Sequence, residues 1–148
     1  MANRYYQGRF TPKNPSKYKG DVTNIIYRSS WELKLLQYLD AHPDVVWYAS
    51  EELVIPYLSP IDGRMHRYFT DFVVRKTNGQ TYVIEVKPHA QTLAPKAESK
   101  SGKKKPKKRY LEEVKTYGIN TSKWKAAEEF CKDRKWQFVI ITEHDLKI

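Results

Sequence analysis

Apolar and polar positions alternate along this chain with two periods. Over residues 29–40 the apolar side chains fall at helical spacing, with Leu35, Leu36 and Leu39 on one stripe and Trp31 and Tyr38 at its margins. A helix is expected to begin at Ser29 or Ser30, reach about Asp40 and close at His42-Pro43. Strand patterning follows at residues 45–48, 53–57, 65–75 and 81–87. A turn is expected at Ser59-Pro60-Ile61-Asp62-Gly63 and a hairpin at Asn78-Gly79. Helical patterning returns at residues 108–117 and 122–134. Residues 136–142 form an apolar run of the kind buried on both faces. The order, a helix, four strands, two helices and a last strand, predicts one α/β domain, a mixed β-sheet flanked by helices, over residues 25–148.

Acids interrupt this pattern where apolar residues are expected. Asp71 lies inside Tyr68-Phe69-Thr70-Asp71-Phe72-Val73-Val74, where an ionised group is costly unless paired or bound to a metal. Glu85 and Lys87 share a strand face with Val83, while Tyr82, Ile84 and Val86 take the other. A solvated strand face is the plain alternative, but Val83 and Val86 make the strand read as buried on both sides. Register decides whether the acids meet. A two-residue turn at Asn78-Gly79 puts Asp71 opposite Val86. A three-residue loop, Thr77-Asn78-Gly79 with Gly79 left-handed, puts Asp71 opposite Glu85. Glu32 has two readings: a capping box with Ser29, or a carboxylate in the centre of the apolar stripe that needs a partner.

Composition narrows the chemistry. The chain has 148 residues, 40% of them hydrophobic, which suits one domain with a real core. Its formal net charge is +10 and its pI about 9.6, the balance of a protein that meets a polyanion, most commonly nucleic acid. Residues 93–109 carry Lys96, Lys100, Lys103, Lys104, Lys105, Lys107, Lys108 and Arg109 against Glu98 alone. Pro95, Gly102 and Pro106 make this a flexible basic loop, suited to sequence-independent phosphate contacts by Lys103, Lys104, Lys105, Lys107, Lys108 and Arg109. Residues 1–24 read as an irregular basic arm, and its aromatics fit either packing on the domain or docking on a partner. Cys131 is the single cysteine, so neither an intramolecular disulfide nor a cysteine-type zinc site is expected. There is no Gly-rich phosphate loop. No run approaches the roughly 20 apolar residues of a membrane span, and no signal-peptide pattern opens the chain. A cytoplasmic protein, or one assembled into a particle made there, is expected.

An acid on one strand, then acid-x-Lys on the next, is the spacing of PD-(D/E)XK nucleases. Around it stand Arg28-Ser29-Ser30-Trp31-Glu32, Glu51-Glu52-Leu53-Val54-Ile55-Pro56, His66-Arg67-Tyr68-Phe69-Thr70-Asp71-Phe72 and Ile84-Glu85-Val86-Lys87-Pro88. Together they resemble the TnsA-type endonuclease N-terminal domain. Residues 5–15 and 136–143 extend the resemblance to the head completion nucleases of T-even-type phages. The resemblance implies a restriction-endonuclease-like fold and DNA cleavage that depends on Mg²⁺, with Mn²⁺ as a substitute. It implies catalytic roles for Glu32, Asp71, Glu85 and Lys87. Glu32, Asp71, Glu85 and the Val86 carbonyl would hold the metal, and Lys87 would assist the attacking water. It also implies phage head or neck proteins as partners, in the host cytoplasm or the virion. Two departures stand out: Thr70 where many members have Pro, and Glu85 where TnsA-type proteins often have Gln. A structural head-to-neck DNA-binding protein with a vestigial site, and a junction-resolving nuclease, remain alternative readings.

Overall fold

The computed structural model of the protein describes residues 7–99 and 101–146; Tyr5, Tyr6 and Lys100 of the basic arm and loop lie outside them. The main sheet has four strands: β3 (Val45–Ser50), β6 (Phe72–Lys76), β7 (Thr81–Val86) and β8 (Gln137–Ile141), in the order β3-β6-β7-β8. β3, β6 and β7 pair antiparallel, and β8 joins β7 in parallel. A parallel neighbour requires a crossover. Helix α2 (Lys107–Arg134) supplies it. Helix α1 (Ser30–Ala41) covers the other face. This is the mixed, helix-flanked sheet of a restriction-endonuclease-like α/β fold.

Both faces of the central strands are buried, which explains their near-continuous apolar runs. Phe72, Val74 and Ile84 pack with Leu35, Leu36 and Leu39 of α1. Val73 and Val83 face Cys131 of α2, with Phe130 and Phe138 beside them. Burial of one such Leu or Phe stabilises by about 1.5–3 kcal/mol.

Two elements differ from the sequence expectation. Residues 65–75 are not one strand. β5 (Met65–Phe69) pairs with β4 (Val54–Leu58) in a separate two-stranded sheet, and β6 starts afresh at Phe72. Both the backbone N–H and the hydroxyl of Thr70 donate to the Leu53 carbonyl, at 3.0 and 3.1 Å, so the chain turns out of one sheet into the next at Thr70-Asp71. Apolar patterning runs through this junction unbroken and gives no sign of it. The expected pair of helices at 108–117 and 122–134 is a single helix, α2. Its buried stripe Asn120, Trp124, Ala127 and Cys131 keeps helical period against the sheet. That packing outweighs the roughly 1 kcal/mol that Gly118 costs relative to Ala.

Residues 7–24 pack on the domain. β1 (Gly8–Arg9) pairs with β2 (Ile26–Tyr27), and Phe10, Tyr18 and Ile25 join the α1-side core. Buried Asp40 at the end of α1 ties the arm down, accepting from the Lys13 and Asn14 backbone N–H groups and the Tyr48 hydroxyl. Backbone hydrogen bonds pair the two limbs of the basic loop, 97–99 with 103–105. The Ser99 N–H donates to the Lys103 carbonyl, and the Lys105 N–H to the Ala97 carbonyl, each at 2.8 Å.

Candidate active site

The β6–β7 turn sets the register of the site. The Lys76 N–H donates to the Gln80 carbonyl at 2.9 Å across Thr77, Asn78 and Gly79, and Gly79 has φ +83°. This is the odd, three-residue loop. The pairs Arg75↔Thr81, Val74↔Tyr82, Val73↔Val83 and Phe72↔Ile84 follow from it. One further step brings Asp71 level with Glu85. There the ladder ends, and the Val86 N–H donates to Asp71 Oδ2 at 2.8 Å.

Glu85 is 5% exposed and projects towards α2. Its Oε2 accepts the indole N–H of Trp124 at 3.3 Å and lies 4.0 Å from Lys87 Nζ. Asp71 is pushed well above the ordinary carboxylate range. Burial is the main cause, the Glu85 charge adds to it, the Val86 N–H opposes it, and Glu32 adds a smaller push. Two neighbouring carboxyl groups cannot both ionise cheaply in such a place.

Glu32 is held to one side. Ser29 caps α1, accepting the Glu32 N–H at 3.1 Å. The Glu32 carboxylate reaches back to the Arg28 N–H and the Ser29 hydroxyl, each at 3.4 Å. Burial raises its pKa too, with the Arg28 N–H opposing and the Glu51 charge adding. Among the described residues no three His, Cys, Asp or Glu side chains are grouped to hold a metal ion. The structure thus brings together Asp71, Glu85, Val86 and Lys87, with Glu32 near enough to act on Asp71 through its charge. The capping box supplies the Glu32 carboxylate with the partners that the apolar stripe left it without.

Several neighbours escaped the sequence reading. Glu51 adopts φ +56°, donates its N–H to the Asp71 carbonyl at 3.1 Å and holds Arg28 at 3.2 Å. Trp124 and Tyr68 flank Glu85 from α2 and β5. A helical stripe containing Trp124 is legible in the sequence, but the expected break in α2 separates it from the site. Among the basic residues, Lys107, Lys108 and Arg109 open α2, and Lys105 is engaged by Glu113 at 2.9 Å. His66 pairs with Asp62 and stacks on Tyr57, which gives it a packing role.

A mixed sheet with two acids and a lysine at the end of its central hairpin defines a nuclease domain of the restriction-endonuclease-like class. Residues 42–143 match the family described as TnsA-like endonuclease N terminal. The chain belongs to that family. Over 142 residues it is 39% identical to the Head completion nuclease of Enterobacteria phage T4, covering 96% of this chain and 94% of that protein.

Proposed function

We propose that the protein is a Mg²⁺-dependent DNA endonuclease that acts in phage head completion after DNA packaging. The observation that carries the reading is the placement of Asp71 beside Glu85, with Lys87 following, in a chain of this nuclease family. The match over nearly its whole length to a protein named for head completion supports the biological setting. Phage head or neck proteins are then its partners, and it works in the host cytoplasm during assembly or in the virion.

The donor set fits a hard divalent cation. Both side chains offer carboxylate oxygens, and the mutual repulsion at Asp71 is relieved by positive charge. Asp71, Glu85 and the Val86 carbonyl would hold Mg²⁺, or Mn²⁺ in its place. When bound, such a cation polarises the phosphodiester and makes a bound water more acidic. Lys87 is placed to orient the attacking water and to offset charge building on the phosphate. The water oxygen bonds to phosphorus as one ester oxygen leaves. Lys103, Lys104, Lys107, Lys108 and Arg109 would hold the flanking DNA backbone.

Purified protein incubated with linear, nicked and branched DNA, with Mg²⁺ or with chelator, tests the reading. Cleavage is expected only with the cation. DNA binding without cleavage under every condition would leave a structural role in its place.

A further inference from the structure

The inner carboxylate of the site faces two neutral hydrogen-bond donors. Trp124, 8% exposed on α2, donates its indole N–H to Glu85 Oε2 at 3.3 Å. Tyr68, 2% exposed on β5, is packed with Ile55, Tyr57 and Ala127, and Lys123 Nζ lies 5.6 Å from its ring centre. Its hydroxyl is buried and has no hydrogen-bond partner at bonding geometry. Glu85 and Asp71 lie near it, and towards a carboxylate a neutral phenol can only donate. A buried donor left unpaired costs about 1–3 kcal/mol. Phenylalanine would pack the same space without that cost. The hydroxyl therefore marks a position where a partner is expected in the working state.

We propose that Tyr68 and Trp124 are positioning residues for Glu85: Trp124 fixes Oε2 from α2, and the Tyr68 hydroxyl becomes the second donor to the carboxylate when cation and DNA are seated. The hairpin of β4 and β5 and the crossover helix would then clamp the catalytic strand from two sides. Partners of this kind that orient a ligating side chain commonly change affinity or rate by about 10–100-fold when removed. The proposal rests on the nuclease reading above.

Three measurements on the full chain test it: Mg²⁺ affinity by calorimetry, cleavage rate at saturating linear DNA, and thermal midpoint. Tyr68→Phe removes the hydroxyl and leaves the ring. It is expected to lower kcat about tenfold or more, leave the KM for DNA unchanged, and keep or raise the thermal midpoint. Trp124→Phe is expected to weaken Mg²⁺ binding over a similar range. A Tyr68→Phe protein that cuts at the parental rate with a raised midpoint overturns the proposal, because the hydroxyl is then only an unpaired core atom. A loss confined to KM overturns it as well. If the parent itself neither binds Mg²⁺ nor cuts DNA, the nuclease reading falls and this inference falls with it. If the parent does both and the variants match it, this inference alone fails.

Discussion

Asp71 Oδ2 accepts the backbone N–H of Val86 at 2.8 Å, which makes the acid of one strand a hydrogen-bonding partner of the next. The bond sits where the backbone ladder ends, one step beyond Phe72↔Ile84. It orients the Asp71 carboxylate and ties it to the strand that carries Glu85 and Lys87. Register and site geometry are thus set by the same contacts.

The environment of Asp71 gives the cation-free protein a signed pH dependence. Burial and the Glu85 charge raise its folded-state pKa above the ordinary value of 3.8. Folding therefore favours the protonated acid. Its stabilising contribution is full below the ordinary value and is lost as pH rises through the raised one. In chelator, the thermal midpoint should fall as pH rises from about 4 upward. Asp71→Asn should flatten that decline and abolish cleavage. A variant with the parental pH profile would show that Asp71 is not the strained acid.

Glu32 combines a capping role with a charge, and the two can be separated. Ser29→Ala removes the cap and should cost about 1 kcal/mol of stability while leaving the cleavage rate nearly intact. Glu32→Gln keeps the hydrogen-bonding pattern, since a capping box accepts either side chain. It should hold the thermal midpoint and lower the cleavage rate. Equal activity in Glu32→Gln and the parent would reduce Glu32 to a cap.

Much of the site is legible in the sequence, and the exceptions have physical causes. Period two in β7 and the acids at 71 and 85 locate it, and the odd-length turn follows from asking which register lets them meet. Gly79 is the residue that permits that turn. The break at Thr70 is invisible because both flanking segments are apolar. Thr70 also uses a backbone N–H that Pro could not supply, so its departure from the family pattern adds a bond here. Trp124 and Tyr68 are hidden for a different reason. Each is an ordinary core residue by pattern, and only tertiary packing brings its polar atom to Glu85.

The turn itself can be challenged. Gly79 has φ +83°, and open space surrounds the position a methyl group would take there, so Gly79→Ala meets backbone strain and no clash. It should cost about 1 kcal/mol in chemical denaturation and leave cleavage unchanged. Deleting Asn78 leaves Thr77 and Gly79 as a two-residue loop between the same Lys76 and Gln80, so Asp71 stays level with Glu85. That variant should lose stability and keep its cleavage rate. Lost cleavage in a folded deletion variant would mean that the loop does more than set the register.

The basic segment is expected to bind DNA without taking part in the chemistry, and its lysines are not equivalent. Lys103, Lys104, Lys107 and Lys108 are exposed. Replacing these four with Ser should weaken DNA binding and flatten its salt dependence by up to about 0.9 per lost phosphate contact on duplex DNA. Lys105 differs, because its ammonium pairs with Glu113 at 2.9 Å and its side chain is only 13% exposed. Lys105→Ser should barely change the salt slope and should instead destabilise the start of α2 by about 0.5–1 kcal/mol. Binding measured across a salt series separates the two groups. At saturating protein and low salt, the four-lysine variant should recover towards the parental cleavage rate, because none of these side chains belongs to the Asp71–Glu85–Lys87 site. A defect that persists at saturation would place one of the four at the scissile phosphate. An unchanged slope would move the DNA contact elsewhere, with the basic residues of the arm, Lys13 and Lys19 among them, as the next positions to replace.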